Sequence, residues 1–348
     1  MNAKMRPAAP LLRRATLVRR ATLVRRATLV RRATLGAAVW LTALAGPLVA
    51  QTADDYTLPV VKRYFMVQAD ARCHLLDEAT SRALKAGYLQ ARNDALRAGL
   101  SMSYLSPWLA RARDAAARTA CDSPQLTTEV ETAKNGFRRY MAVPHLDLNS
   151  GRADWAANRA YGDDVVWRLV QYQNTDKVDM ALGVFGSLHT NSFSLMAHFK
   201  DGTHPYAARL MVRNTDMMPT GLIDRTPYDL TRQMPRGFSD VGSLSFMASG
   251  MSDLQADLHP GVKTNLAGFT VTGQYAGTRP AEDAIRFDFP SRAWIAIAKL
   301  DPREDIVVEF STDDGPVYGR FEVGDFVTGL TYVALPSAYT NNHVNTAG

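Results

Sequence analysis

The chain has 348 residues, 46% of them hydrophobic, and a formal net charge of +6. This hydrophobic content is that of a packed globular protein, and it excludes an intrinsically disordered scaffold. The charge is unevenly distributed, because residues 1–50 hold ten basic residues and no acidic residue. Residues 51–348 hold 30 basic and 34 acidic residues, a net charge of −4, which argues against a nucleic-acid-binding protein.

The first fifty residues have the pattern of an export signal. Residues 13–36 repeat Arg-Arg-Ala-Thr-Leu four times at a period of six, and an uncharged apolar stretch, 35–50, follows. A basic segment before a short apolar core with a small-residue end is typical of a secretory signal peptide. We therefore predict a signal peptide over residues 1–50, cleaved after Ala45 or Ala50. Its apolar core would reach only ~24 Å as a helix, so no stable transmembrane anchor is expected after cleavage.

Two other interpretations of the repeat stay open. Arg-Arg-x-Thr-Leu resembles the substrate motif of basophilic kinases, and a basic arm is able to contact phosphates. Residues 31–35 also partly resemble a twin-arginine export signal, although Thr34 stands where a large apolar residue is usual. A charged run directly before an apolar core is best explained as a targeting region, so the general secretory route is favoured.

Cys73 and Cys121 are the two cysteines of the chain. Two cysteines in an oxidising compartment most simply form one disulfide, so we predict a Cys73–Cys121 bond. The loop-entropy relation gives such a bond about 4 kcal/mol of stabilisation. The alternative is two buried free thiols. Together with the signal peptide, the disulfide predicts a periplasmic or secreted protein.

Residues 51–144 have helical periodicity, with apolar positions recurring at steps of three and four. A Ser or Asp directly before such a run predicts the N-cap of a helix, and this occurs at three positions: Asp77, Ser106 and Ser123. Proline follows both serines, which suits the first turn of a helix. With a less regular helix before Asp77, the region is predicted to hold three or four antiparallel helices. The disulfide would then join the first helix to the end of the third.

Residues 145–336 show the alternation of β-strands, most clearly in 317–323 and 285–289. The strands are not separated by predicted helices, which indicates an antiparallel β-sandwich or an open barrel. The predicted fold class is therefore α+β, with a disordered tail over residues 337–348. The other predicted strands are apolar or alternating runs bounded by turn residues: 165–173, 177–187, 192–199, 206–214, 243–249, 269–275, 293–300, 305–311 and 326–335.

The connection 214–240 has no sustained period and contains three prolines. A loop of this length inside a compact domain is usually either functional or packed on itself, so we look here first for a site. Candidates for hydrolysis are its carboxylates and a serine that misses a Gly-x-Ser-x-Gly motif by one position: Asp224, Asp229, Asp240 and Ser239. Candidates for contact with an apolar ligand are its thioethers and a phenol: Met217, Met218, Tyr228 and Met234.

Metal or cofactor chemistry is not predicted. His189, His198 and His204 are close in sequence, but a hairpin turn at Asp201-Gly202 would send His198 and His204 to opposite faces. Zinc needs its ligand atoms within ~2.1 Å of one point. The six methionines between residues 211 and 251 fit core packing better than Cu(I) binding.

Three functional hypotheses follow. The first is an exported envelope protein that serves as a non-catalytic module binding a protein, glycan or lipid. The second is an envelope hydrolase that uses the carboxylates or the serine of the 214–240 connection. The third is metal handling by methionine and histidine side chains. The first is favoured, because the sequence contains no local catalytic or phosphate-binding motif and the fold class often presents loops for recognition.

Overall fold

The computed structural model describes five stretches of the chain: 52–159, 166–186, 190–221, 242–253 and 284–336. Within these stretches the protein is α+β, with six helices and two antiparallel sheets. They belong to one compact unit. The predicted signal peptide and the predicted C-terminal tail lie outside the described residues, as does the predicted strand 269–275.

Four helices open the described part of the chain: α1 (Ala53–Cys73), α2 (Glu78–Arg97), α3 (Met102–Arg118) and α4 (Pro124–Ala142). The predicted N-caps at Asp77 and Ser123 are confirmed, because their side chains accept hydrogen bonds from the amides of Thr80 and Leu126. Helix α1 packs against α2 and α3, and α2 also packs against α4. The predicted Cys73–Cys121 disulfide is confirmed and joins the end of α1 to the residues after α3.

The predicted N-cap at Ser106 is wrong. Helix α3 begins at Met102, with Ser101 as its N-cap, and Pro107 lies inside the helix. The hydroxyl of Ser106 donates to the carbonyl of Met102 one turn earlier instead of capping a new helix. Proline early in a helix removes one backbone donor, and packing of the buried Leu105 side chain supports the turn around it.

The strands form two antiparallel sheets. Sheet A has the order β1-β2-β3-β4-β5-β9-β8, and sheet B has the order β11-β10-β6-β7. The strand bounds are β1 (His145–Leu148), β2 (Trp155–Asn158), β3 (Val166–Asn174), β4 (Val178–Gly186), β5 (Asn191–Phe199), β6 (Ala207–Arg213), β7 (Ser243–Met247), β8 (Gly250–Asp253), β9 (Ile285–Phe289), β10 (Asp305–Thr312) and β11 (Gly315–Glu322).

Two predicted strands are helices. The run 293–300 lies mostly in α5 (Ser291–Ile297), and the run 326–335 lies mostly in α6 (Phe326–Val333). Both runs are apolar at most positions, so alternation could not be distinguished from helical spacing. Most of the buried residues recur at helical spacing: Ala293, Ala296 and Ile297 in α5, and Phe326, Gly329, Tyr332 and Val333 in α6, where Thr328 is buried as well.

Both sheets contribute to one apolar core. Alternate residues of β4 and β5 in sheet A and of β6 and β10 in sheet B share this cluster, together with residues of α5 and α6. Gly319 of β11 allows close packing, because a Cβ atom at this position would overlap the thioether of Met180 on β4. Among the described residues, no helix has both the length and the apolar character needed to cross a bilayer.

A buried ionic cluster beneath the start of the long connection

Charged side chains gather where β6 ends, β10 begins and β11 ends. The ionic cluster consists of two parts: a network of Arg152, Asp305, Arg320 and Glu322, and a separate Arg213–Glu304 ion pair whose carboxylate directly precedes Asp305 in the chain. Arg152 comes from the β1–β2 loop. Strand geometry brings three of the others together, because Asp305 and Glu322 are directly paired across β10 and β11, and Arg320 is on the same face as Glu322 two residues earlier. Except for Arg152, these residues are at most 6% exposed.

Glu322 holds the β1–β2 loop through three consecutive backbone amides. Its carboxylate accepts hydrogen bonds from the amides of Gly151 (3.0 Å), Arg152 (2.6 Å) and Ala153 (3.2 Å). Burial raises the pKa of Glu322, although the Arg152 guanidinium and the three amides act in the opposite direction. The loop is therefore fixed to the end of β11 by a desolvated carboxylate.

The backbone of Glu322 also connects the two sheets. The buried side chain of Gln171 on β3 donates to the Glu322 carbonyl at 3.0 Å and accepts from the Glu322 amide at 2.7 Å. The same carboxamide donates to the carbonyl of Ala153 at 3.0 Å. One side chain of sheet A therefore binds a strand end of sheet B and the β1–β2 loop.

Asp305 is shared between two arginines. One of its carboxylate oxygens accepts from Arg152 and the other from Arg320. Asp305 and Arg320 are 6% and 1% exposed, so this pair is removed from water. A buried charge is tolerated when it is paired and hydrogen-bonded, and here each charge has such a partner.

Arg213 and Glu304 anchor the start of the long connection. Arg213 donates to both oxygens of Glu304, each at 2.7 Å, and the two side chains are 5% and 2% exposed. Arg213 also donates to the carbonyl of Met218, and Glu304 accepts from the amide of Asp301 at 2.8 Å. The hydrogen bonds to Glu304 raise the pKa of Arg213. Segment 214–221 is thus held to the Arg213–Glu304 pair through the backbone of Met218.

A neighbouring carboxylate connects the helices to the sheets. Asp325, the N-cap of α6, accepts from Asn93 at 2.7 Å and from Arg97 at 2.8 Å, both on α2. It also accepts from Thr328 at 3.0 Å. Burial raises the pKa of Asp325, and Arg97 and Asn93 act against this rise.

The named carboxylates of this region are therefore engaged by cations, amides or hydroxyls and are closed to solvent. No family model, curated protein or solved structure matches this chain. Its function has to be inferred from its own residues. A carboxylate that is paired and inaccessible is poorly placed for general acid or base chemistry, whereas it is well suited to hold loops in a fixed arrangement.

Of the residues predicted to act in hydrolysis or to contact a ligand, the structure describes two. Met217 is 62% exposed, and Met218 contributes its backbone carbonyl to Arg213. The others lie outside the described residues: Asp224, Asp229, Asp240, Ser239, Tyr228 and Met234. Sequence reasoning missed the ionic cluster. A partial signal was present, since charged residues open the apolar strand β10 and alternate with apolar residues in β11.

The histidine geometry differs from the prediction. The two-residue hairpin considered at Asp201-Gly202 is not formed, because β5 and β6 belong to different sheets. His198 lies on β5 and His204 on the connection to β6, while His189 lies outside the described residues. Within the stretches that the structure describes, no group of three or more His, Cys, Asp or Glu side chains could hold a metal ion.

Proposed function

We propose that this protein is an exported, non-catalytic binding module of the cell envelope, and that segment 214–221 belongs to its binding surface. The proposal includes a signal peptide over residues 1–50, cleaved after Ala45 or Ala50, and a periplasmic or secreted location. It also includes the packing of the two sheets as a β-sandwich. The Cys73–Cys121 disulfide supports export, because such bonds persist in oxidising compartments.

The observation that carries the binding role is the anchored base of segment 214–221. Arg213 and Glu304 are buried and held by two short hydrogen bonds, while Met217, four residues beyond Arg213, is 62% exposed. Recognition surfaces commonly combine loop residues with a rigid scaffold that positions them. An exposed methionine is an adaptable apolar contact for a partner.

Site-specific photo-crosslinking tests the binding role. A photoreactive residue replaces Met217 in the full chain in its own cells, and matched controls carry it at Tyr206 or Ile295, which are 63% and 56% exposed. We expect a discrete adduct from position 217 and none from the control positions. Identical adducts from all three positions, or no adduct from position 217, would show that segment 214–221 is not a binding surface.

Export is tested separately, by N-terminal sequencing and thiol alkylation of the purified protein. We expect the chain to begin at residue 46 or 51 and both cysteines to resist alkylation until a reductant is added. A protein that begins at Met1 and has reactive Cys73 and Cys121 would refute export. That result would not affect the crosslinking test, which measures binding and not location.

A further inference from the structure

The outer face of sheet A carries a second apolar cluster. Along β4 and β5, Leu182 and Leu195 point into the core shared with sheet B, and the alternate positions Ala181 and Met196 point to the opposite face. Tyr172 of β3 packs against the cluster on that face. This outer cluster contains residues of β2, β3, β4 and β5 and the residue before β9: Ala156, Trp167, Val170, Ala181, Phe185, Met196 and Ala284.

The outer cluster is closed to water, and sheet A alone cannot achieve this. Trp167 and Phe185 are 0% and 4% exposed, and their ring centroids are 5.1 Å apart. Side chains stand roughly perpendicular to a sheet, so the alanines of the cluster are too short to shield the outer surface of an indole. Arg286 of β9 shields one ring in part, since its guanidinium lies 5.3 Å from the Phe185 centroid. A further layer is needed, because every described residue of the cluster belongs to sheet A or directly precedes β9.

We propose that residues 254–283 pack on the outer cluster and supply this layer. The stretch leaves sheet A at Asp253, the last residue of β8, and returns at Ala284, a member of the cluster that is 1% exposed. Both of its ends are therefore fixed at the sheet that needs the layer. The 30 residues can extend up to ~100 Å, whereas the cluster spans four strand spacings from β2 to β9, about 19 Å.

The sequence of this stretch suits such a layer. Within 269–275, apolar residues alternate with polar ones, which are Thr270, Thr272 and Gln274. The apolar residues are Phe269, Val271 and Tyr275. An extended chain with this alternation has one apolar side and one polar side. The apolar side would face the outer cluster, and the polar side would face water.

The other stretches outside the described residues are attached elsewhere or are short. Residues 222–241 follow Gly221, which lies beside Glu304 at sheet B, and lead back to β7 of the same sheet. Residues 1–51 precede α1 and residues 337–348 follow α6, and both helices pack against α2. The connections within sheet A have six and three residues, 160–165 and 187–189. The proposal depends neither on export nor on the binding role of segment 214–221.

Photo-crosslinking within the full chain identifies the stretch that lies on the outer cluster. A benzophenone-bearing residue replaces Tyr172, and the matched control carries it at Tyr318, a partly buried tyrosine on the outer face of sheet B. After irradiation and digestion, we expect peptides of 254–283 joined to position 172 and none of them joined to position 318.

Methionine oxidation measures whether the apolar side of 269–275 protects the cluster. Met196 in the outer cluster and Met180 in the core shared with sheet B are 1% and 2% exposed, so they form a matched pair. Phe269→Asp with Val271→Asp should raise the rate at which peroxide oxidises Met196 by about fivefold and leave the rate of Met180 unchanged, because oxidation follows exposure of the thioether.

The matched control is Thr270→Asp with Thr272→Asp on the polar side, which should change either rate by less than about twofold. Equal effects of the two double variants, or an unchanged Met196 rate in the first, would overturn the proposal. Crosslinks from position 172 that go only to another stretch or to a second chain would overturn it as well. If the first variant raises both methionine rates, it is unfolded, and the crosslink from position 172 decides alone.

Discussion

Replacing Arg213 with alanine tests whether the ionic cluster stabilises the fold and holds segment 214–221. The substitution removes both 2.7 Å hydrogen bonds to Glu304 and leaves that carboxylate, in a residue only 2% exposed, without its cation. Breaking a buried ion pair from one side typically costs about 3–5 kcal/mol, because the remaining charge is desolvated. We expect a loss of this size in the free energy of unfolding.

Thermal unfolding followed by circular dichroism measures this loss. A change of about 3–5 kcal/mol should lower Tm by roughly 6–15 °C in a chain of this size. The double variant Arg213→Met with Glu304→Leu removes both charges and keeps the volume, so it should recover most of the stability. The recovery distinguishes the penalty of an unpaired charge from a general loss of packing.

A second arginine on β6 provides the matched control. Arg209 pairs with Glu309 at 2.8 Å, but its side chain is 38% exposed. Arg209→Ala should therefore lower stability by at most about 1 kcal/mol. If Arg213→Ala has no larger effect than Arg209→Ala, or if the double variant is as unstable as the single one, an unpaired Glu304 charge is not what destabilises the Arg213→Ala protein.

Three further predictions concern other parts of the structure. Gly319→Ala should lower the unfolding free energy in urea by about 1–3 kcal/mol, because the new methyl group overlaps the Met180 thioether, whereas Gly250→Ala meets open space and should be neutral. Equal effects of the two would contradict this packing. Cys73→Ser should lower the unfolding free energy by about 4 kcal/mol under oxidising conditions and have little effect in reductant. A loss that persists in reductant would point to packing instead. A carboxyl with a raised native pKa binds its proton more tightly in the folded state, so the Glu322 contribution to stability falls as pH rises above 4.5, its unperturbed pKa. Glu322→Gln should reduce the fall in unfolding free energy as pH rises above 4.5. An unchanged fall would show that the native pKa of Glu322 is not raised.

Local signals were sufficient for the elements whose ends are chemically marked. Asp77 and Ser123 cap helices as predicted, because a side-chain oxygen before an apolar-periodic run satisfies free amides in any fold. The long strands could be predicted as well, because their apolar residues alternate along the chain to face a common core. Short strands such as β2 and β8 offered too few residues for a period to show.

Elements that depend on distant partners could not be predicted. The runs 293–300 and 326–335 are apolar almost throughout, so packing decides between strand and helix. The ionic cluster shows the same limit, because Arg152 and Asp305 are 153 residues apart in sequence and become neighbours only when the sheets are formed. Each charged residue taken alone resembles an ordinary surface residue.

Helix α2 receives its partner from the far end of the chain. Asn93 donates to Asp325, 232 residues later, and α2 packs along α6. During synthesis, the face of α2 that meets α6 therefore has no counterpart until almost the whole polypeptide has left the ribosome. Contacts of such long range also slow folding, because a large loop must close before they form.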